Sequence, residues 1–187
     1  MKIGVFALQG AFIEHERALL SLGAEVKEIR LLSDFTEDLD GVILTGGEST
    51  VQGKLLREGG FLEPLKERIQ AGLPVWGTCA GLILLANRLS NDSNVYLGTL
   101  DATVRRNAYG RQLGSFSDEL DFKGIGKYSA VFIRAPYVEE AGSGVEVLAE
   151  CRGKIVAVRQ GHMFATAFHP ELTDDLRVHS YFLKMIR

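Results

Sequence analysis

One short segment of the chain has the form that nucleophilic chemistry requires. Gly77-Thr78-Cys79-Ala80-Gly81 reads Gly-x-nucleophile-x-Gly, between a strand-like Leu73-Pro74-Val75-Trp76-Gly77 and an apolar helical run, Leu82 to Leu89. A sharp strand-to-helix turn holds its central residue in a strained conformation, and the flanking glycines remove the clashes that side chains would create. The Cys79 sulfur then projects beyond the sheet at a helix N-terminus. Unpaired N–H groups and the helix dipole there favour thiolate over thiol. The N–H of Ala80 is placed to donate to an oxyanion. Most free cysteines are small buried hydrophobes, and that reading competes for Cys79 until its frame is considered. Cys151, in Ala149-Glu150-Cys151-Arg152-Gly153, has no such frame and takes the structural reading.

A thiolate needs a proton partner, and four histidines compete. His15 lies among charges on the first predicted helix and reads as solvated. His162 follows Gly161 in a turn, and His179 falls in the terminal helix. His169 ends the run Phe164-Ala165-Thr166-Ala167-Phe168 and begins His169-Pro170-Glu171. A histidine at a strand end, with a carboxylate two residues on and proline stiffening the link, can have its ring held and its tautomer fixed by that carboxylate. His-x-Glu alone is a weak signal; joined to the elbow it becomes a Cys79–His169–Glu171 triad.

The elements that must carry these residues alternate. Residues 2–8 predict a buried strand, followed by a helix to Leu22. Residues 24–31 read as an outer strand and Gly41 to Thr45 as a buried one. Two helical stretches separated at Gly59-Gly60 come next, then the strand and helix of the elbow. That order implies a mostly parallel sheet with helices on both faces, binding ligands at the carboxyl ends of its strands. From about Thr99 to Phe168 the segments are short and strand-like, which predicts an antiparallel addition to the same sheet. A final helix is expected from about Thr173 to Ile186.

The 187 residues are 46% apolar and 24% charged, which fits one α/β domain over 1–187 and excludes a disordered or coiled-coil chain. A net charge of −3 gives no footprint for nucleic acid or an anionic membrane. Two cysteines are too few for a disulfide framework, and no apolar run spans a membrane, so the protein reads as soluble and cytoplasmic. Glycine, 21 residues against 4 prolines, points to local turns and close approaches rather than flexible linkers. There is no cluster of metal ligands and no phosphate-binding glycine-rich lysine motif, so neither a metal nor a resident cofactor is expected.

The elbow and His-Pro-Glu together resemble the class I, triad-type glutamine amidotransferases. Leu8-Gln9-Gly10, Gly46-Gly47-Glu48-Ser49-Thr50, Arg105-Arg106-Asn107-Ala108-Tyr109-Gly110-Arg111-Gln112 and Phe132-Ile133-Arg134-Ala135-Pro136 narrow the match to the glutaminase subunits of pyridoxal 5′-phosphate synthases, over essentially the whole chain. The resemblance implies a three-layer amidotransferase-like fold. It also implies hydrolysis of L-glutamine to L-glutamate and ammonia through a Cys79 thioester. Gly47 joins Ala80 as an oxyanion donor, and Gly47, Glu48, Ser49, Arg106, Ile133 and Arg134 bind glutamine. Glu48 would lie near the ammonium group and Arg106 would meet the carboxylate. With no room for a synthase domain in 187 residues, it further implies a separate (β/α)8-barrel subunit, forming a ring decorated by glutaminase subunits, that takes the ammonia to make pyridoxal 5′-phosphate. Gln9, Gly10 and Phe12 are the candidate contacts with that partner. Another elbow hydrolase, such as a γ-glutamyl hydrolase, and a non-catalytic regulatory module remain open alternatives at this point.

Overall fold

The structure, a computed structural model, describes residues 1–107 and 114–186. Of the motif quoted above, residues 108–112 therefore lie outside the described residues. The chain opens with β1 (Lys2–Phe6), α1 (Phe12–Ser21), β2 (Glu25–Ile29) and β3 (Gly41–Leu44). Helices α2 (Ser49–Glu58) and α3 (Leu62–Gln70) follow, then β4 (Val75–Thr78) and α4 (Ala80–Leu85). β2, β1, β3 and β4 pair in parallel in that spatial order. β3 and β4 are buried at every position, as a strand covered on both faces must be, whereas the edge strand β2 is largely half-exposed.

The second half comprises β5 (Ala86–Leu89), β6 (Leu100–Arg105), β7 (Ser115–Phe122), β8 (Gly126–Ile133), β9 (Tyr137–Ala141), β10 (Glu146–Cys151), β11 (Lys154–Gln160), β12 (Met163–Thr166) and α5 (Arg177–Ile186). β12 returns to the centre and pairs in parallel with β4, Thr166 opposite Thr78. Beyond it β11, β9 and β6 run antiparallel to their neighbours, and β5 closes the edge in parallel with β6.

Trp76 and Thr78 point to one face of β4 and Gly77 to the other, because successive residues of a strand alternate. α1 and α5 cover the first face. His15 of α1 and His179 and Phe182 of α5 surround the Trp76 ring, with centroids 5.2, 4.9 and 5.6 Å away. α4 covers the second face, where Gly77 meets Gly81.

Three expectations from sequence need correction. β1 stops at Phe6 rather than residue 8. The apolar run to Leu89 is not one helix: α4 ends at Leu85, Ala86 turns extended (φ −55°, ψ 139°), and 86–89 pair with β6. The terminal helix starts at Arg177, after a 3-10 turn at Pro170–Leu172. The antiparallel addition expected in the second half is present in β11, β9 and β6, with β12 closing back in parallel on β4 and β7–β8 forming a hairpin of their own. The break at Gly59-Gly60 is present, Gly60 taking a φ of 74°. Among the described residues, no helix is long and apolar enough to cross a membrane.

Candidate active site

Cys79 sits between β4 and α4 with φ 48° and ψ −98°, a conformation that non-glycine residues adopt only where the surroundings enforce it. Enforcement comes from both sides. The Cys79 N–H donates to the Thr166 carbonyl of β12 at 2.8 Å. A Cβ on Gly77 would lie 2.5 Å from the Gly81 carbonyl carbon, and one on Gly81 would collide with the Leu44 carbonyl of β3. Both glycines are thus required for backbone-to-backbone contact, and α4 can begin immediately above the sheet. Ala80 is its first residue, so its N–H has no acceptor within the helix.

β12 and the 3-10 turn after it deliver the other two members. The His169 N–H donates to the Val131 carbonyl at 2.8 Å, anchoring the backbone, and His169 Nδ1 lies 2.7 Å from Glu171 Oε1. The Glu171 carboxylate has no solvent exposure. Burial would lower the His169 pKa, but hydrogen bonds to Cys79 and Glu171, and the charges of both, outweigh it and push it up to about 10. The resting site therefore holds His169 as an imidazolium, with the Glu171 carboxylate on one side and Cys79 on the other.

The Gly46-Gly47 loop follows β3 and closes over the pair. A Cβ on Gly46 would lie 2.5 Å from His169 Cε1, and one on Gly10 would collide with the Gly46 carbonyl. Gly46 therefore serves close approach to the His169 ring, a role beyond the freedom to reorient. Gln52 ties the loop down from below, its Nε2 lying 3.1 and 3.2 Å from the carbonyls of Thr45 and Gly46. Gln9 Oε1 accepts from the Glu48 N–H at 2.8 Å. Gln9 and Gly10 thus touch the loop directly, while Phe12 lies beneath the Arg30 guanidinium, 5.0 Å from ring centroid to Cζ.

A cleft of about 160 Å³ opens over Cys79 and His169, and Gln9, Gly47, Glu48, Ser49, Arg106, Ile133 and Arg134 line it. The structure thus gathers every residue expected to bind substrate. Within it Arg106 faces Glu48, 3.0 Å from Nη2 to Oε1, and its other terminal nitrogen pairs with Asp92. Asn91 exchanges hydrogen bonds with the Arg106 main chain at 3.0 and 3.1 Å. Arg134 holds a positive φ of 42° and donates its N–H to the Gly114 carbonyl at 2.7 Å.

Sequence reasoning passes over Gln52, Asn91, Asp92, Asn107 and Ile83, of which the last two also line the cleft. Asn91-Asp92 reads only as a turn, and nothing in the linear chain signals that it reaches Arg106. The largest miss is His15, which is not solvated but completely buried, with His179 buried beside it. Its signal is present in retrospect: on α1 it is spaced with Ala18 and Leu19, the inward stripe. Cys151 is buried near Asp118, and burial and that carboxylate push its pKa up to about 11, which leaves it an inert thiol.

A family model described as the SNO glutamine amidotransferase family matches residues 5–187. A protein of Desulfitobacterium hafniense named "Pyridoxal 5'-phosphate synthase subunit PdxT" is 57% identical over all of this chain and 94% of its own length. A protein of the same name from Streptococcus pneumoniae is 54% identical over all of this chain and 98% of its own. A solved structure described as a glutamine amidotransferase superposes with a TM-score of 0.93 at 48% identity, covering 98% of both chains.

Proposed function

The chain belongs to the SNO glutamine amidotransferase family, and from that premise we propose that residues 1–187 form one glutaminase domain whose Cys79, His169 and Glu171 hydrolyse L-glutamine for a pyridoxal 5′-phosphate synthase. The observation that carries this reading is the Cys79–His169 pair beside Glu171, 2.7 Å from the imidazole, at the floor of a cleft rich in polar groups. Cys79 Sγ attacks the side-chain amide carbon of glutamine. The carbonyl oxygen becomes an oxyanion, met by the N–H groups of Ala80 and Gly47. The His169 imidazolium gives its proton to the departing nitrogen, the C–N bond breaks, and ammonia leaves a glutamyl thioester. His169, now neutral, takes a proton from water; the hydroxide displaces Sγ and releases L-glutamate. Glu171 keeps the ring oriented in both halves.

Arg106 suits the α-carboxylate, since a guanidinium fork matches it in shape and charge, and Glu48 suits the α-ammonium. Across the cleft these two satisfy each other, so glutamine exchanges one ion pair for two. Ser49, Ile133 and Arg134 complete the walls. The ammonia passes to a separate synthase subunit, a (β/α)8 barrel in a ring that carries the glutaminase subunits. Gln9 and Gly10 support a docking role for this end of α1, because both touch the Gly46–Glu48 loop. Phe12 begins the same helix and extends that surface. Glutamate release, measured with and without the synthase subunit, tests the assignment. The expected result is release stimulated by the partner and abolished by Cys79→Ala; turnover that survives the substitution rejects it.

A further inference from the structure

Glu171 uses only one of its oxygens on His169. The other, Oε2, is buried and has no well-aligned hydrogen bond; the groups nearest to it belong to a second histidine. His15 Nε2 lies 3.4 Å from it and 3.3 Å from Thr78 Oγ1. On the far side of the His15 ring, Nδ1 is 3.0 Å from His179 Nε2. Both rings are fully buried and stand edge-on to Trp76, at interplanar angles of 85° and 78°. Burial and this ring packing hold both imidazoles in place.

The hydrogens of this stack follow from what its two ends can accept. An ionised carboxylate only accepts, so a lone pair on His15 Nε2 would face Oε2 with no proton between them. If Nε2 carries the hydrogen, Nδ1 is left as an acceptor and His179 must donate from its own Nε2. The remaining His179 nitrogen, Nδ1, then has an unused lone pair, and it is indeed the atom of that ring without a partner. A proton on both rings at once would place two buried cations side by side, with His169 as a third close by; burial and these neighbours hold His15 well below its ordinary range. Each ring is therefore a neutral, single-tautomer donor.

We infer that His15, fixed by His179, is a positioning residue for the triad, presenting an N–H to Glu171 Oε2 so that the carboxylate stays oriented toward His169. This rests on the reading of Glu171 as the third member of the triad. His15 touches neither glutamine nor the sulfur; it acts through Glu171, which in turn supports the His169 imidazolium, the proton partner of Cys79. The stack joins the two helices on the first face of the sheet to the chemistry on the second.

Two measurements on the full-length chain test this without requiring glutamine turnover. Nitrogen chemical shifts of ¹⁵N-histidine-labelled protein at neutral pH should show His15 and His179 protonated at Nε2 alone; an Nδ1–H tautomer at His15 overturns the proposal. Alkylation of Cys79 by iodoacetamide across pH reads thiolate formation. In His15→Leu its rising limb should move to higher pH, because Glu171 loses its donor and the imidazolium its support. His15→Gln, whose amide can donate to Oε2, should restore the limb. A purely structural histidine predicts a lower melting temperature in both variants with the limb unmoved, and that result in folded protein overturns the proposal. If His15→Leu fails to fold, the tautomer measurement on the unmodified chain decides. With the synthase subunit present, kcat of His15→Leu should fall by up to about 10²-fold, the usual cost of a misplaced catalytic group, with KM for glutamine little changed.

Discussion

Glu171 sits between two histidines of opposite character. Toward His169 it supports a charge, and toward His15 it meets a neutral ring. Replacing it by glutamine removes the charge but keeps the shape, so the His169 pKa should fall from about 10 toward its ordinary 6.5. The alkaline limb of kcat/KM, set by loss of the imidazolium proton, should retreat by the same path in a pH profile taken between 6 and 10.5. The same shift bears on stability with a definite sign: a raised histidine pKa stabilises the fold fully below 6.5 and the contribution disappears as pH climbs to about 10. At this scale the sequence is eloquent wherever chemistry and backbone strain coincide. Cys79, His169 and Glu171 occupy frames that only a reactive site needs. His15 is opaque because charged neighbours in sequence, Glu14, Glu16 and Arg17, surround a ring that enters the core.

A strand, a turn and a helix meet at Gly77 and Gly81 with main chain against main chain, and no side chain fits there. Gly81→Ala forces its methyl group against the Leu44 carbonyl of β3. The expected cost is about 1–3 kcal/mol, typical of overpacking a tight contact, read as a lower urea midpoint. Gly114→Ala, where no atom of the described residues lies within 4 Å of the added carbon, should leave the midpoint in place. The buried strand β3 was legible because it is a short apolar run with Gly41 at its start and Gly46-Gly47 just past its end. The run from Leu82 to Leu89 was not, since a buried helix and a buried strand are equally apolar and periodicity cannot separate them; Ala86 turns extended because residues 86–89 find a ladder with β6. The return of β12 to the parallel core was hidden for a related reason: pairing direction leaves no mark on a four-residue strand.

Across the whole molecule the buried histidines make the fold sensitive to acid. The His179 pKa is lowered by burial to about 4, and that of His15 lies well below 6.5. The unfolded chain takes up protons near 6.5 that the native chain refuses, so stability is intact above that pH and declines beneath it. For His179 alone the decline between pH 6.5 and about 4 amounts to about 3 kcal/mol. Urea unfolding at pH 7.5, 5.5 and 4.5 should show a falling free energy, and His179→Asn should flatten that fall. Length, composition and charge had bounded the class of molecule without hinting at this liability, which comes from packing two imidazoles beneath one carboxylate. The parallel pairing of β12 with β4 also governs when the protein becomes an enzyme during its own synthesis. Cys79 emerges from the ribosome long before Thr166, whose carbonyl fixes its backbone, and before His169, its proton partner. At roughly 5–20 residues per second, the interval is several seconds. A nascent chain therefore carries an ordinary thiol until β12 threads between β4 and β11, so the nucleophile is armed by the same event that completes the sheet.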